Sequence, residues 1–236
     1  MSLIIKEEPY SPISEAYRTL RTNIEFTAIE VEHKVIMVTS SGPQEGKSIT
    51  IANLAFALGE IKKKVLLIDC DMRKPRLHKI FTLSNEKGIS NVLAQQYPVE
   101  KAIYSVEENV DVMVCGTIPP NPLDLLGSTK MKTLIEKIKE RYDYILIDTP
   151  PVMAVADAQV LSSLCHGVLL VVAQGKTQKA ALTRTKQLIE GVGGELIGVV
   201  FTSVNIRDKL RYGYHYYYGQ KKKSELRKLR KQGKHL

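Results

Sequence analysis

A loop rich in serine and glycine that ends in lysine carries the strongest chemical signal in the sequence. It reads Ser40-Ser41-Gly42-Pro43-Gln44-Glu45-Gly46-Lys47-Ser48, follows an apolar run and opens a helical pattern. In this setting backbone N–H groups form a cradle for phosphate, a lysine reaches the β- and γ-phosphates, and a hydroxyl ligates Mg²⁺. The strict pattern G-x-x-x-x-G-K-[ST] is nearly met, with serine in place of the first glycine. The loop predicts a nucleotide site with contacts from Ser41, Gly42, Gln44, Glu45, Gly46, Lys47, Ser48 and Ile49.

Carboxylates follow two further apolar runs. Residues 65–68 lead into Asp69 and Asp71, and residues 144–147 lead into Asp148. Side chains at the carboxyl ends of parallel strands converge on one crevice, and Mg²⁺ takes a few hydroxyl or carboxylate oxygens there. Ser48, Asp71 and Asp148 are therefore candidate Mg²⁺ ligands. Any one of these acids could equally cap the helix that follows it, so the metal assignment depends on all three.

Strands and helices that would position these residues alternate along the chain. Apolar, β-branched runs predict strands at 34–39, 64–69, 109–115, 144–148, 167–172 and 196–201. Helical patterns occupy 47–60, 129–141, 156–164 and 179–192. This alternation is typical of a mostly parallel sheet with helices on both faces. We therefore predict an α/β fold, a doubly wound P-loop domain with its ligands at the strand carboxyl ends.

A helix is predicted ahead of the sheet, over residues 10–30. Ser14 is a possible N-cap, and Ala16, Leu20 and Ile24 form one apolar stripe. The expected organisation is thus an N-terminal helical segment (1–30), the P-loop domain (31–206) and a flexible basic tail (207–236).

Composition and charge restrict the possible functions. The 44% hydrophobic and 25% charged residues are ordinary for a folded soluble chain. No apolar run reaches the ~18 residues that a membrane span needs, no secretion signal is expected, and the three cysteines have no metal-ligand spacing. The formal net charge of +9 falls entirely within residues 207–236, which hold 11 Lys or Arg and two Asp or Glu. Such a tail could meet membrane headgroups, acidic proteins or nucleic acid.

Tyrosines are concentrated in that tail. Five of the chain's 11 tyrosines lie within seven residues, at Tyr212, Tyr214, Tyr216, Tyr217 and Tyr218. The surrounding glycine and lysine residues offer these rings no core to join. Aromatic rings interleaved with basic residues could stack on single-stranded nucleic acid, or the cluster could be merely structural.

Taken together, these motifs resemble those of the bacterial tyrosine kinases. The phosphate loop, residues 69–73 and residues 147–151 are similar to the family's Walker A, A′ and B motifs, and the likeness covers nearly the whole chain. Its layout is closest to the separate cytoplasmic kinases of Gram-positive capsule and exopolysaccharide systems. The resemblance implies ATP and Mg²⁺ as cofactors and protein tyrosines as acceptors. It assigns Lys47 to the phosphates and proton acceptance to Asp69, which could exchange base and metal roles with Asp71.

The same resemblance implies how the chain assembles and which partners it binds. Glu15, Arg18 and Arg21 fit the family's E-x-x-R-x-x-R motif, which mediates contacts in a closed, octameric ring, although a merely solvated charged face is the alternative. The tail tyrosines would be phosphorylated by a neighbouring subunit. Expected partners are a transmembrane activator with a cytoplasmic tail, a phosphotyrosine phosphatase and protein substrates, at the inner face of the membrane; nucleic acid is not expected.

One departure and two alternatives accompany this resemblance. Thr202 stands where relatives have an asparagine that contacts adenine, and Asn205 is the possible substitute. An ATPase switch of the partitioning type would carry a second lysine five residues before Lys47, where this chain has Gly42. The other alternative is a nucleotide-regulated protein that binds nucleic acid through its tail.

Overall fold

A mostly parallel sheet forms the frame of the protein. The computed structural model describes residues 3–27 and 34–204; Asn205, the tail and its five tyrosines lie outside them. Within the described residues the sheet has seven strands in the order β3-β4-β2-β5-β1-β6-β7. Their bounds are β1 Val35–Ser40, β2 Val65–Asp69, β3 Tyr104–Glu107, β4 Val110–Met113, β5 Tyr144–Asp148, β6 Gly167–Ala173 and β7 Leu196–Thr202. Among these seven described strands, only the β3–β4 pair is antiparallel.

Helices cover both faces of this sheet. Their bounds are α1 Ile4–Glu7, α2 Pro12–Thr27, α3 Lys47–Gly59, α4 Leu77–Ile80, α5 Ile89–Leu93, α6 Pro122–Leu126, α7 Thr129–Lys139, α8 Asp157–Ser162 and α9 Lys179–Glu190. A short 3₁₀ turn at Val99–Ala102 precedes β3. The predicted doubly wound α/β fold is therefore confirmed. No helix in the described part of the chain is long and apolar enough to cross a membrane.

Side chains that alternate along the central strands pack into two separate hydrophobic cores, one on each face of the sheet. In β1, Val35 and Met37 join the core under α7, α8 and α9, whereas Ile36 and Val38 join the core under α1, α2 and α3. Successive side chains of a strand point to opposite faces, so a strand buried on both sides must be apolar throughout. Each fully buried aliphatic side chain contributes roughly 1.5–3 kcal/mol, which stabilises the sheet that holds the loops above it.

The N-terminal helix begins differently from the prediction. It starts at Pro12, and Ser11, not Ser14, is its cap, since the Ser11 Oγ accepts the Ser14 N–H at 3.1 Å. Ser14 is instead buried, and its hydroxyl donates to the Glu8 carbonyl at 2.7 Å. The correction has a simple cause: proline fits the first turn of a helix, so the cap is the residue before it.

Candidate functional site

The strand order brings three loops to one edge of the sheet. Strand β5 lies between β2 and β1, so the carboxyl ends of these strands are neighbours. Asp69 is in register with Asp148, which is in register with Val38 of β1. The phosphate loop follows β1, so both carboxylates lie beside it. The convergence expected from the sequence is thus a direct consequence of the sheet topology.

The phosphate loop has the backbone shape of an anion cradle. Gly46 precedes α3 with φ +95° and Gln44 has φ 59°, both in the left-handed region. A side chain on Gly46 would be strained and would also meet the Thr202 methyl group at 3.3 Å. Within the loop, the Ser40 hydroxyl donates to the Gly42 carbonyl at 2.7 Å, so the turn is braced before any ligand enters.

The predicted contact residues divide into two groups. Gln44, Gly46, Lys47, Ser48 and Ile49 line a cleft of about 350 Å³. Ser41, Gly42 and Glu45 are not among the lining residues and hold the loop instead. The Glu45 Oε1 accepts the Gly42 N–H at 3.2 Å, and the buried Ser41 hydroxyl accepts a hydrogen bond from Thr185 of α9 at 2.9 Å.

The other wall of the cleft comes from the segment after β2. Asp71, Lys74 and Arg76 line it together with Pro151. Lys74 and Arg76 are exposed basic side chains, and cations facing a phosphate loop suit a negatively charged ligand. The sequence reasoning missed both as site residues, although they follow directly on the Asp69–Asp71 motif.

Asp69 lies beneath the cleft, not in it. The side chain is fully buried, its Oδ2 accepts the N–H groups of Arg76 and Leu77 at 2.9 Å each, and its Oδ1 accepts the Asp71 N–H at 3.2 Å. Burial, and after it the nearby Asp148 carboxylate, raise the pKa of Asp69 above its ordinary value. Asp69 therefore shapes the segment that presents Asp71 to the cleft.

Asp148 is a buried carboxylate without a hydrogen-bond partner of normal geometry in the described residues. Both of its oxygens are inaccessible. Burial raises the pKa of Asp148, and the nearby Ser48 hydroxyl and Lys47 ammonium oppose that rise. Leaving a buried carboxylate without partners is costly, so the arrangement indicates a site for a cation.

The oxygen donors here fit Mg²⁺. No set of three His, Cys, Asp or Glu side chains in residues 3–27 and 34–204 is arranged to hold a metal by itself. Mg²⁺ does not need such a set, because it uses one or two carboxylates and completes its shell with water and phosphate oxygens. Ser48, Asp71 and Asp148 are the donors that the structure brings to the phosphate loop.

An ion pair joins the segment after β2 to the start of α8. The Arg73 guanidinium donates two hydrogen bonds to Asp157, at 2.8 and 3.0 Å, and the Asp157 side chain is completely buried. A two-pronged pair of this kind fixes both position and orientation. It therefore holds the Asp71 wall of the cleft against the helix that follows the Asp148 loop.

We expect Arg73→Ala to lower the free energy of unfolding by about 1–3 kcal/mol, because it leaves the buried Asp157 carboxylate unpaired. The expected loss of stability is moderate because 43% of the Arg73 side chain is exposed to solvent. Urea unfolding of the nucleotide-free protein measures the loss, and Arg73→Lys, which keeps the charge, should recover part of it. A loss below about 0.5 kcal/mol, the range of ordinary surface substitutions, would contradict this role.

The predicted assembly motif is paired within the chain. Arg18 donates to Glu60 at 2.7 and 2.9 Å, and Arg21 donates to the Ala57 carbonyl at 3.0 Å. Both arginines thus bind the C-terminal end of α3. Glu15 is 3.5 Å from Arg18, and 51% of its side chain is exposed.

Comparisons with known proteins give a consistent result. Residues 33–193 match a family model described as an AAA domain. The chain is 42% identical over 215 residues to tyrosine-protein kinase YwqD of Bacillus subtilis (strain 168), covering 91% of each protein. It is 38% identical over 219 residues to the putative tyrosine-protein kinase CapB of Staphylococcus aureus, covering 92% of this chain and 95% of that one.

Solved structures show the same likeness. The chimerical protein CapA2B2 superposes with a TM-score of 0.82 at 41% identity, over 86% of this chain and 89% of that one. The kinase domain of Escherichia coli tyrosine kinase ETK gives 0.84 at 33% identity, over 86% and 80%. The septum site-determining protein MinD of Pyrococcus horikoshii OT3, complexed with Mg-ADP, gives 0.61 at 26% identity, over 71% and 69%.

Proposed function

Because this chain belongs to the bacterial tyrosine-protein kinases, we propose that it transfers phosphate from Mg²⁺-bound ATP to its own tail tyrosines and to tyrosines of cellular proteins. The acceptor cluster is Tyr212, Tyr214, Tyr216, Tyr217 and Tyr218. The proposed process is the control of capsular or extracellular polysaccharide synthesis and export. The observation that carries the proposal is the buried Asp148 carboxylate, which lies near Lys47 and Ser48 of the phosphate loop and has no hydrogen-bond partner of normal geometry among the described residues.

Nucleotide binding is the first step of the proposed mechanism. The loop from Gly42 to Ser48 surrounds the phosphates, and the Lys47 ammonium neutralises charge on the β- and γ-phosphate oxygens. Mg²⁺, held by Ser48, Asp71 and Asp148, would add further neutralisation of the phosphate oxygens. The solved MinD complex with Mg-ADP shows that a protein of similar fold takes this cofactor pair.

Tyrosine attack is the second step. The phenolic oxygen forms a bond to the γ-phosphorus in line with the bond that breaks to the ADP oxygen, and the phenolic proton goes to a carboxylate. Asp71 lines the cleft that the tyrosine must enter, whereas Asp69 has a raised pKa and lies directly beneath it, joined to the Asp71 N–H. We propose that these two carboxylates divide the base and metal roles between them.

Phosphorylation of the tail would change its charge. Each phosphate adds about −1.5 to −2 charges near neutral pH. Phosphates on all five tyrosines would add about −7.5 to −10 charges, which would offset most or all of the tail's net charge of +9. We propose that this change releases the tail from its neighbour, so that autophosphorylation acts as an assembly switch.

A transmembrane activator, a phosphotyrosine phosphatase and protein substrates are the proposed partners. The activator's cytoplasmic tail would bring the kinase to the inner face of the membrane, where the basic segment could meet anionic headgroups.

The α2 surface is the proposed contact within the ring. Tyr10, Ile13 and Phe26 are large apolar side chains exposed on or just before α2. Because Arg18 and Arg21 are already bound to α3, the half-exposed Glu15 is the member of the motif freest to meet a neighbouring subunit.

We expect Glu15→Arg to shift the protein from a ring toward monomers, since it reverses the charge offered to the neighbour. Light scattering coupled to size-exclusion chromatography measures the mass. Glu136→Arg, an exposed reversal on α7 at the other face of the sheet, is the control and should assemble normally. A Glu15→Arg protein with the wild-type mass would exclude Glu15 from the contact.

The proposed function is tested by mapping phosphate on the purified full chain. The protein is incubated with ATP and Mg²⁺, with and without a peptide of a candidate activator's cytoplasmic tail, and phosphotyrosine is located by mass spectrometry. Phosphate on residues 212–218 is the expected result. ATP hydrolysis without phosphotyrosine under either condition would favour the ATPase switch. Oligonucleotide binding with a steep salt dependence would favour the nucleic-acid alternative.

A further inference from the structure

Two residues far from the phosphate loop in sequence hold its outer side. Lys176, in the connection between β6 and α9, donates from its Nζ to the carbonyls of Pro43 and Gln44 at 2.8 and 3.2 Å. Thr202, at the end of β7, donates from its hydroxyl to the carbonyl of Glu45 at 2.7 Å. Three consecutive carbonyls of the loop are therefore bound from one side. We call Lys176 and Thr202 the carbonyl clamp.

The clamp determines where the loop's N–H groups point. In a trans peptide the carbonyl of one residue and the N–H of the next point in opposite directions. Carbonyls held outward at residues 43, 44 and 45 therefore direct the N–H groups of Gln44, Glu45 and Gly46 inward. None of these three N–H groups has a hydrogen-bond partner among the described residues. They are the free donors that a phosphate group requires.

The clamp also acts on the strained part of the loop. Gln44 has φ 59°, a conformation that side-chain-bearing residues rarely adopt. Its carbonyl is one of the three that are held. The Thr202 methyl group lies 3.3 Å from the position that a side chain on Gly46 would occupy, so β7 also supports the loop by contact.

The two clamp residues are held by segments that are hydrogen-bonded to each other. The backbone N–H of Gln174 donates to the Thr202 carbonyl at 2.9 Å, which joins the end of β7 to the start of the Lys176 connection. The Ala173 N–H is bonded to the Thr177 hydroxyl at 3.2 Å, which closes that connection on itself. The Lys176 side chain is exposed, yet its ammonium lies on two carbonyls.

We propose that Lys176 and Thr202 are positioning residues for nucleotide binding, which act by turning the N–H groups of the phosphate loop toward the phosphates. The inference rests on the proposed use of ATP and assigns Thr202, the departure noted in the sequence, a task other than contact with adenine. The loop holds phosphate equally before and during transfer. Loss of the clamp should therefore raise the KM for ATP and leave kcat nearly unchanged.

Matched pairs of variants test the clamp on the full chain. Lys176→Met and Thr202→Val remove one donor each and keep the side-chain size, whereas Lys176→Arg and Thr202→Ser keep a donor. Lys179→Met removes an exposed lysine three residues further on and is the charge control. Binding of a fluorescent methylanthraniloyl-ADP with Mg²⁺ gives Kd, and phosphotyrosine formation gives KM and kcat.

We expect the two donor-removing variants to raise Kd and KM about threefold to tenfold, as loss of one modest hydrogen bond does. The other three should stay within about twofold of wild type. Wild-type affinity in Lys176→Met and Thr202→Val would overturn the clamp while leaving the proposed function standing. A fall in kcat at unchanged KM would also overturn it, because Lys176 would then touch the transferred phosphoryl group.

Folding and nucleotide use are checked separately. Melting curves of the nucleotide-free variants establish whether Thr202→Val is folded. If it is unfolded, the comparison of Lys176→Met with Lys176→Arg tests the clamp, because Lys176 is exposed and its substitution should not affect folding. A wild-type chain that binds no Mg²⁺-ADP overturns the proposed function, and the clamp with it.

Discussion

Replacing Lys47 with methionine should reduce tyrosine phosphorylation by at least about a hundredfold, since the residue supplies a charge at the phosphoryl group where charge is redistributed during transfer. Lys47 begins α3 and lines the cleft, yet only 8% of it is exposed. Methionine is of similar length and fills the same space. The loss should therefore be chemical and not structural.

The measurement is the initial rate of phosphotyrosine formation in wild type and Lys47→Met, with circular dichroism and melting curves on both. Lys130→Met, an exposed lysine on α7 away from the cleft, is the matched control and should retain the wild-type rate. A Lys47→Met protein that is unfolded, or one that phosphorylates at the wild-type rate, would contradict the role assigned to this lysine.

Replacing Asp148 with asparagine should abolish phosphorylation and, at the same time, stabilise the nucleotide-free protein above neutral pH. Asp148 and Asp69 are both fully buried and in register on adjacent strands. Burial raises the pKa of each carboxyl group. Asparagine has nearly the same shape and carries no charge, so it removes the cost of burying two neighbouring acids and also removes a Mg²⁺ ligand.

The pH dependence follows from the direction of those pKa shifts. A carboxyl group whose pKa is raised by folding stabilises the protein fully below its ordinary pKa of about 3.9, and that contribution is lost as pH rises through the raised value. Burial raises the pKa of Asp148 to about 7, so wild type should lose stability between about pH 4 and pH 7 more steeply than Asp148→Asn. The variant should be more stable by about 1–3 kcal/mol at pH 8, because one pKa unit corresponds to about 1.4 kcal/mol.

Melting temperatures at pH 5 and pH 8 in the absence of Mg²⁺ and nucleotide measure this difference. A chain of this size should gain roughly 2–12 °C at pH 8. Asp124→Asn, an exposed acid on α6, controls for the general effect of removing a charge. Added Mg²⁺-ADP should stabilise wild type and not Asp148→Asn. An Asp148→Asn protein that melts below wild type at pH 8 would contradict this prediction, because the Asp148 carboxylate would then stabilise the nucleotide-free protein.

Long helices and strands that are apolar throughout could be predicted from the sequence, whereas very short helices and a half-exposed strand could not. The strand Tyr144–Asp148 has the predicted bounds, and the helices that begin at Lys47, Thr129 and Lys179 end within three residues of the prediction. Strand β3 and helices α1, α4, α5 and α6 have four or five residues each and were not predicted. A helix of four or five residues contains about one turn, which is too little for a helical period to be visible. Strand β3 is only partly buried, so it lacks the continuous apolar run that marks the central strands.

The residues of the candidate site could be predicted only in part, for a related reason. Phosphate-loop residues and strand-end acids are recognisable because local spacing alone identifies them. Arg73 with Asp157, and Lys176 with the phosphate loop, are contacts between residues 84 and more than 130 positions apart. Such partners have no local pattern, since packing brings them together.

The sequence by itself determined the type of fold, the nucleotide loop and the presence of acids at two strand ends, because each depends on residues that are neighbours in the chain. Only the tertiary structure decided that β5 lies between β2 and β1, which puts Asp69 beside Asp148. It also decided that Asp71 lines the cleft while Asp69 lies beneath it, and that Thr202 faces the phosphate loop. These outcomes depend on the order in which strands pair and on which side of each loop is buried, and both are set by packing across the whole sheet.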